Sequence, residues 1–354
     1  MTANFIINTG NEDKRLIKLE HLCASLNHPD YASSNINSNF LMTDSTKMEG
    51  TFIEVESGNF GVFLGHEFNP FIYRGENKDY KEFIPSSKRF KLKNKTNCDE
   101  ERLRHCVEWI NKKDFIEFFK ETPYYKRCSE FEVLGCKFKF DLNALAQHYE
   151  FVTDYIDISR DMAVAMFFAY TYIHDGKYYP ITDFKKYKPT LYIANLADIF
   201  KKDESILKII GFQSALRPFI QKAMALDMNA SNGIKKLFNK IKLPQSAEIA
   251  NGIFEHFKQG ATIFPNDFLG SCASGIKAQK TLPVPYLKEY CELFKQDRKY
   301  IEKLINESSY TLTDKIAGYS EEQFIGMNLE IDNYIIPFLN NRISFRAYSK
   351  HIEF

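Results

Sequence analysis

The sequence predicts an α+β protein, a mixed sheet with surrounding helices, followed by a helical C-terminal extension. Three observations carry this. Runs such as "TFIEVES", "FGVFLGHE" and "TDYIDIS" alternate apolar and polar residues with the period of a half-buried strand. The segment "CDEERLRHCVEWINKKDFIEFFKE" sets Leu103, Cys106, Val107, Ile110, Phe115 and Phe118 at helical spacings. Beyond Thr281, "YLKEYCELFKQDRKYIEKLINE" is charged and helical in pattern.

The elements follow in order. A helix-like patch at Asp13–Leu26 precedes "NHPDYASSNINSN", rich in Asn, Ser and Pro, so residues 1–50 read as a lead-in. "TFIEVES" and "FGVFLGHE" flank a Gly-Asn turn and read as a strand pair. "NPFIYRG" is a strand that ends at Arg74-Gly75. The "CDEERLRH" helix comes next, then a dense stretch of helix, short strand and helix from Asp141 to Tyr170. "PTLYIANL" reads as a buried strand, and a break at Gly211 precedes "RPFIQKA". "EIANGIFEHFKQGATIFPNDFLGSCASGIKAQK" reads as a helix, a turn through Gly260 to Pro265, and another helix.

Composition bounds the function. The chain has 354 residues, 44% of them hydrophobic and 15% aromatic, which is ample for a core. Lys and Arg number 47 against 46 acidic residues, a net charge of +1, so nucleic acid is not indicated as a partner and neither is a membrane surface. The longest apolar run, Met162–Ile173, falls short of the roughly 20 residues that span a bilayer and reads as a buried helix. Seven cysteines with no C-x-x-C pair, and no charged-then-apolar leader over residues 1–11, predict free thiols and a cytoplasmic location.

No phosphate loop, G-x-G-x-x-G, H-E-x-x-H or G-x-S-x-G motif occurs. The scattered His and Cys residues form no zinc pattern, and no metal is expected. What remains is a set of polar residues in three places. Arg74 at a strand end can fork to phosphate or carboxylate, and Gly75 removes the Cβ that would block a ligand. The alternative is an Arg bridging a buried carboxylate beside an ordinary turn. In "ALAQHYEFVTDYIDISRDMAVAMFFAY", Gln147 and His148 stand at a helix exit, and Thr153, Asp157 and Ser159 share one strand face with Tyr155. Ser159 also suits the N-cap of the next helix, and His148 a satisfied core position. Asp157 on an inner strand needs a partner, for which Arg74 is available. Arg217 and Gln221, four apart, share a helix face if a helix starts near Pro218.

These elements, in this order, resemble the FRG domain, named for its aromatic-Arg-Gly motif. Tyr73-Arg74-Gly75 stands for that motif, Leu145-Ala146-Gln147-His148 for its "LAQH" core, and Asp157-Ile158-Ser159 for a "DWS" step. Ala165–Ala169 matches an "A-x-x-F-A" helix, Arg217 with Gln221 a later pair, and Phe264-Pro265 with Gly270 a closing element. The resemblance spans residues 51–280 and leaves 281–354 as the helical extension. Tyr149-Glu150 replaces a glycine region, and Asp154 stands where the family has an arginine. The motif order is similar to that of ADP-ribosyltransferase folds, which implies NAD as substrate and a nucleotide-handling enzyme or toxin-like effector. In that reading Arg74, His148, Ser159 and Gln221 are catalytic, and Tyr73, Arg74, Gly75, Gln147, Thr153, Asp157 and Arg217 hold the cofactor. Arg74 clamps the diphosphate or ribose, while Ser159 with Thr153 supplies the strand support on the nicotinamide side. The carboxylate such chemistry needs is not evident, since Glu248 and Glu255 lie in a helical pattern. The other reading is a non-catalytic domain that binds a small ligand or a protein.

Overall fold

A computed structural model describes residues 49–56, 59–65, 71–88, 98–130, 132–133, 136–210, 215–230, 233–316, 321–330, 332–333 and 345–348. The patch expected at 13–26 and the break at Gly211 lie outside them. Strands β1 (Glu49–Glu56) and β2 (Asn59–Gly65) form the expected antiparallel pair. After β3 (Phe71–Glu76) comes the long helix α1 (Cys98–Glu121), then α2 (Pro123–Ser129) and the short strands β4 (Glu132–Val133) and β5 (Cys136–Phe138).

The segment that the sequence marks as densest folds as α3 (Leu142–His148), β6 (Tyr155–Ser159) and α4 (Met162–Tyr170). Asp141 and Asp161 cap the two helices, each accepting a backbone amide at 2.9 Å, from Ala144 and Ala163. Such a cap contributes about 1 kcal/mol. α4 is apolar all round because it is covered on all sides, packing on β3 beneath and on α7 (Ala247–His256) above. It is the buried helix expected of the long apolar run. The run turns at Thr171 into a hairpin of β7 (Thr171–His174) and β8 (Lys177–Pro180).

β9 (Thr190–Asn195) is buried at every position, as its unbroken apolar run predicts. α5 (Leu196–Lys202), β10 (Leu207–Ile209), α6 (Leu216–Ile220), β11 (Ala223–Asp227) and β12 (Asn239–Lys242) complete the sheet region before α7. The central sheet has the order β10-β11-β6-β3-β9-β12, with every neighbouring pair antiparallel. A second sheet runs β15-β1-β2-β5-β4, where β15 (Phe345–Tyr348) lies parallel to β1.

One feature of the register positions the site. β3 pairs with β9 over six residues and β6 with β11 over five, yet β3 and β6 share one pair only, Tyr73 with Ser159. The sheet therefore opens between its two middle strands. Ile156 and Ile158 point into one core layer with Ile72 and Tyr192, whereas Tyr155, Asp157 and Ser159 project to the other side, as the alternation predicts.

α8 (Phe268–Ala278) is the second helix expected after Pro265. β13 (Thr281–Pro283), α9 (Val284–Leu293), α10 (Arg298–Asn306), β14 (Thr311–Thr313) and α11 (Ile325–Glu330) follow it. The first half of α1 packs Cys106, Val107 and Ile110 on α9 and α10, and its second half packs Phe115, Phe118 and Phe119 in the core beside α3 and α8. α1 thus joins the helical C-terminal region to the sheet.

Candidate functional site

The opening between β3 and β6 is the floor of a cleft of about 750 Å³. Eight of the ten residues singled out in the sequence line it: Tyr73, Arg74 and Gly75 from β3, Gln147 and His148 from α3, Asp157 and Ser159 from β6, and Gln221 after α6. Thr153 and Arg217 stand behind this lining. Aromatic walls come from Tyr80, Phe168, Tyr172, Tyr178 and Phe264.

Arg74 crosses the opening. Its Nη1 donates to the backbone carbonyl of Asp157 at 2.7 Å, and its Nε donates to Glu76 Oε1 at 3.0 Å. A side chain thus supplies a bond where the strand ladder has parted. The expected pairing of Arg74 with the Asp157 carboxylate is replaced by Glu76, two residues along the same strand face. Period two puts Arg74 and Glu76 side by side, and the structure buries Glu76, at 5% side-chain exposure, and covers most of Arg74, at 16%. Phe83 packs its ring 5.3 Å from the guanidinium.

Gly75 does not end the strand, which continues through Glu76. A Cβ there would lie 1.7 Å from the carbonyl oxygen of Ala165 and 2.7 Å from the Ala169 nitrogen. The close approach that requires glycine is therefore that of helix α4, not of a ligand. The small residues of "AVAMFFA" let that helix settle on the strand.

Asp157 is not buried. Its carboxylate is half exposed in the cleft, 3.5 Å from His148 Nε2, and accepts from Gln147 Nε2 at 2.8 Å. Thr153 precedes β6 rather than belonging to it; its hydroxyl donates to Gln147 Oε1 and so turns the amide toward Asp157. Ser159 donates to the Gln221 carbonyl at 2.6 Å and accepts the Asp161 amide at 2.8 Å. The helix begins later than the sequence suggested, so Asp161 and not Ser159 is its N-cap.

His148 is buried, and burial holds its pKa below the ordinary imidazole value. Its Nδ1 lies 3.1 Å from Gln221 Oε1, while Gln221 Nε2 donates to the Ile263 carbonyl at 3.0 Å. With the amide oriented by Ile263, Nδ1 is the donor and Nε2 is left as an acceptor with no hydrogen-bond partner among the described residues. α6 starts at Leu216, just before Pro218, and Gln221 is its C-cap, with an amide that donates to the Arg217 carbonyl at 3.1 Å, so Arg217 and Gln221 stand one helical turn apart as expected, and both reach His148. Arg217 Nη1 donates to the His148 carbonyl at 3.1 Å, its guanidinium lying beside the Tyr149 and Phe264 rings. Behind it, buried Asp267 accepts from the Tyr149 hydroxyl at 2.6 Å, from the Arg217 amide at 3.1 Å and from the Gly270 amide at 2.8 Å. Sequence reasoning missed Asp267 and Glu76. Only the Glu76 spacing carried a signal. Glu248 and Glu255 are exposed on α7, away from the cleft lining.

Among the described residues no cluster of three or more His, Cys, Asp or Glu could hold a metal, and no helix is long and apolar enough to cross a membrane. No curated protein and no solved structure matches the chain. Residues 69–177, from β3 through the start of β8, match the FRG domain family model. This span holds the aromatic-Arg-Gly strand, the "LAQH" helix and the Asp157 strand that together frame the cleft: the chain carries an FRG domain.

Proposed function

We propose that the FRG-domain cleft binds a nucleotide of the NAD class by its nucleoside end, with Asp157 and His148 as the side chains that meet the sugar. The observation that carries this reading is the pair itself. Asp157 offers a half-exposed carboxylate beside an unpartnered His148 Nε2, in a cleft whose other polar side chains are largely bonded to one another. Ribose hydroxyls are donors of the kind these two acceptors lack. A glycosidic bond that breaks with its electron pair passing to the departing base leaves an oxocarbenium-like sugar, which a nearby carboxylate stabilises. His148 Nε2 can then take the proton of the attacking hydroxyl or water. Arg74, Gln147, Thr153 and Arg217 act as positioning residues in this scheme.

The test is the thermal unfolding midpoint with NAD and ADP-ribose, followed by an assay for nicotinamide release. The midpoint of wild type is expected to rise with NAD. Asp157→Asn, at an exposed position, should keep its ligand-free stability within about 0.5 kcal/mol yet lose the rise. No rise with either nucleotide overturns the proposal. A second reading, a non-catalytic binding module, is favoured by one observation: Arg74, Ser159 and Gln221 each spend their polar groups inside the protein. Binding without nicotinamide release would select it.

A further inference from the structure

The charge of the cleft carries a sharper statement about its ligand. Among the described residues that line it, four carboxylates, those of Glu76, Glu82, Glu150 and Asp157, stand against one guanidinium, Arg74, and no lysine. Glu76 already holds that guanidinium. Two lining side chains, each more than nine-tenths buried, present atoms with no hydrogen-bond partner: Glu76 Oε2 and His148 Nε2. Both are acceptors, the histidine because its Nδ1 donates to Gln221. Asp157 Oδ1 adds a third acceptor 3.5 Å from the histidine. Buried acceptors of this kind are costly unless a donor or a positive charge reaches them. Around them stand the rings of Tyr80, Phe168, Tyr172, Tyr178 and Phe264, whose faces attract cations.

We propose that the cleft is an organic-cation site: it takes a planar, positively charged ring against Asp157, His148 and Glu76, and disfavours a phosphate there. This deepens the nucleotide reading and rests on it only for the identity of the natural ligand. For NAD it makes the oxidised nicotinamide ring, which carries a positive charge, the inserted end. The diphosphate then stays at the mouth. The carboxylates predict discrimination between oxidised and reduced cofactor, since the reduced ring is neutral.

The experiment is calorimetric titration of the full chain with 1-methylnicotinamide, a cation, and with nicotinamide, its neutral counterpart, alongside NAD, its reduced form and ADP-ribose. The cation is expected to bind at least about tenfold more tightly than nicotinamide, with an affinity that falls as salt is raised. Asp157→Asn should remove most of that ratio, and Glu76→Gln, which keeps an acceptor for Arg74, should reduce it in protein that remains folded. Equal binding of the two probes, or no binding of the cation at millimolar concentration, overturns the proposal. So does ADP-ribose or the reduced cofactor binding as tightly as NAD, a result that would leave the nucleotide reading standing. Binding of the cation with no binding of any nucleotide would do the reverse, supporting the cation site and ending the nucleotide reading.

Discussion

Gly75→Ala separates two roles for the same glycine. If the missing Cβ serves a ligand, alanine spoils binding and leaves the fold intact. The structure says otherwise, because the added carbon would sit 1.7 Å from the Ala165 oxygen, where an ordinary contact starts at 3.4 Å, and 2.7 Å from two further backbone atoms. All three belong to helix α4, which would have to retreat by well over an ångström. It has nowhere to go, since Phe167, Met166 and Tyr170 are buried among β3, β9 and α7. Overpacking a core costs ~1–3 kcal/mol and sometimes more. Here backbone meets backbone, so the loss should be at least about 3 kcal/mol. With a urea slope on the order of 3 kcal/mol per molar, the unfolding midpoint should fall by about 1 M in ligand-free protein. A midpoint unchanged within about 0.2 M would refute the packing argument and return Gly75 to the ligand.

Arg74→Ala leaves Glu76, with 5% side-chain exposure, without its counter-charge, and urea unfolding should show a loss of ~3–5 kcal/mol. Adding Glu76→Gln should restore part of it, a coupling measured by the double-mutant cycle; full additivity would argue against the pair. The pH dependence has a definite sign. Burial lowers the pKa of His148 and of His256, each from an ordinary value of 6.5, so below that value the unfolded chain binds protons that the folded one does not. Their contribution is complete above about pH 6.5 and is lost as pH falls toward the folded values, by up to about 1.4 kcal/mol per pH unit for each histidine. In denaturation curves from pH 7.5 to 5.5, His148→Asn should flatten the slope. An unchanged slope would mean that folding does not lower the affinity of His148 for its proton.

Much of the fold is legible in local pattern. Alternation marks β6, unbroken apolar runs mark β3 and β9, helical spacing marks α1, and the turn through Gly260 to Pro265 divides α7 from α8, because the apolar pattern reports which faces of each element are buried. The polar residues of "YRG", "LAQH" and "DIS" announce one site in the same way, and most of them line one cleft. Their partners are another matter. Arg74 reaches Glu76 and a backbone carbonyl rather than the Asp157 carboxylate because β3 and β6 part after a single pair, and a parted register depends on strands far away in the sequence. Gly75 answers to a helix ninety residues on, and Asp267 becomes a buried hub only once α8 docks behind Tyr149 and Arg217. Alternation along a strand is a property of neighbouring residues and is written in the sequence. Which charges meet, and which are left facing the cleft, is decided by packing between segments that the chain brings together only when folded.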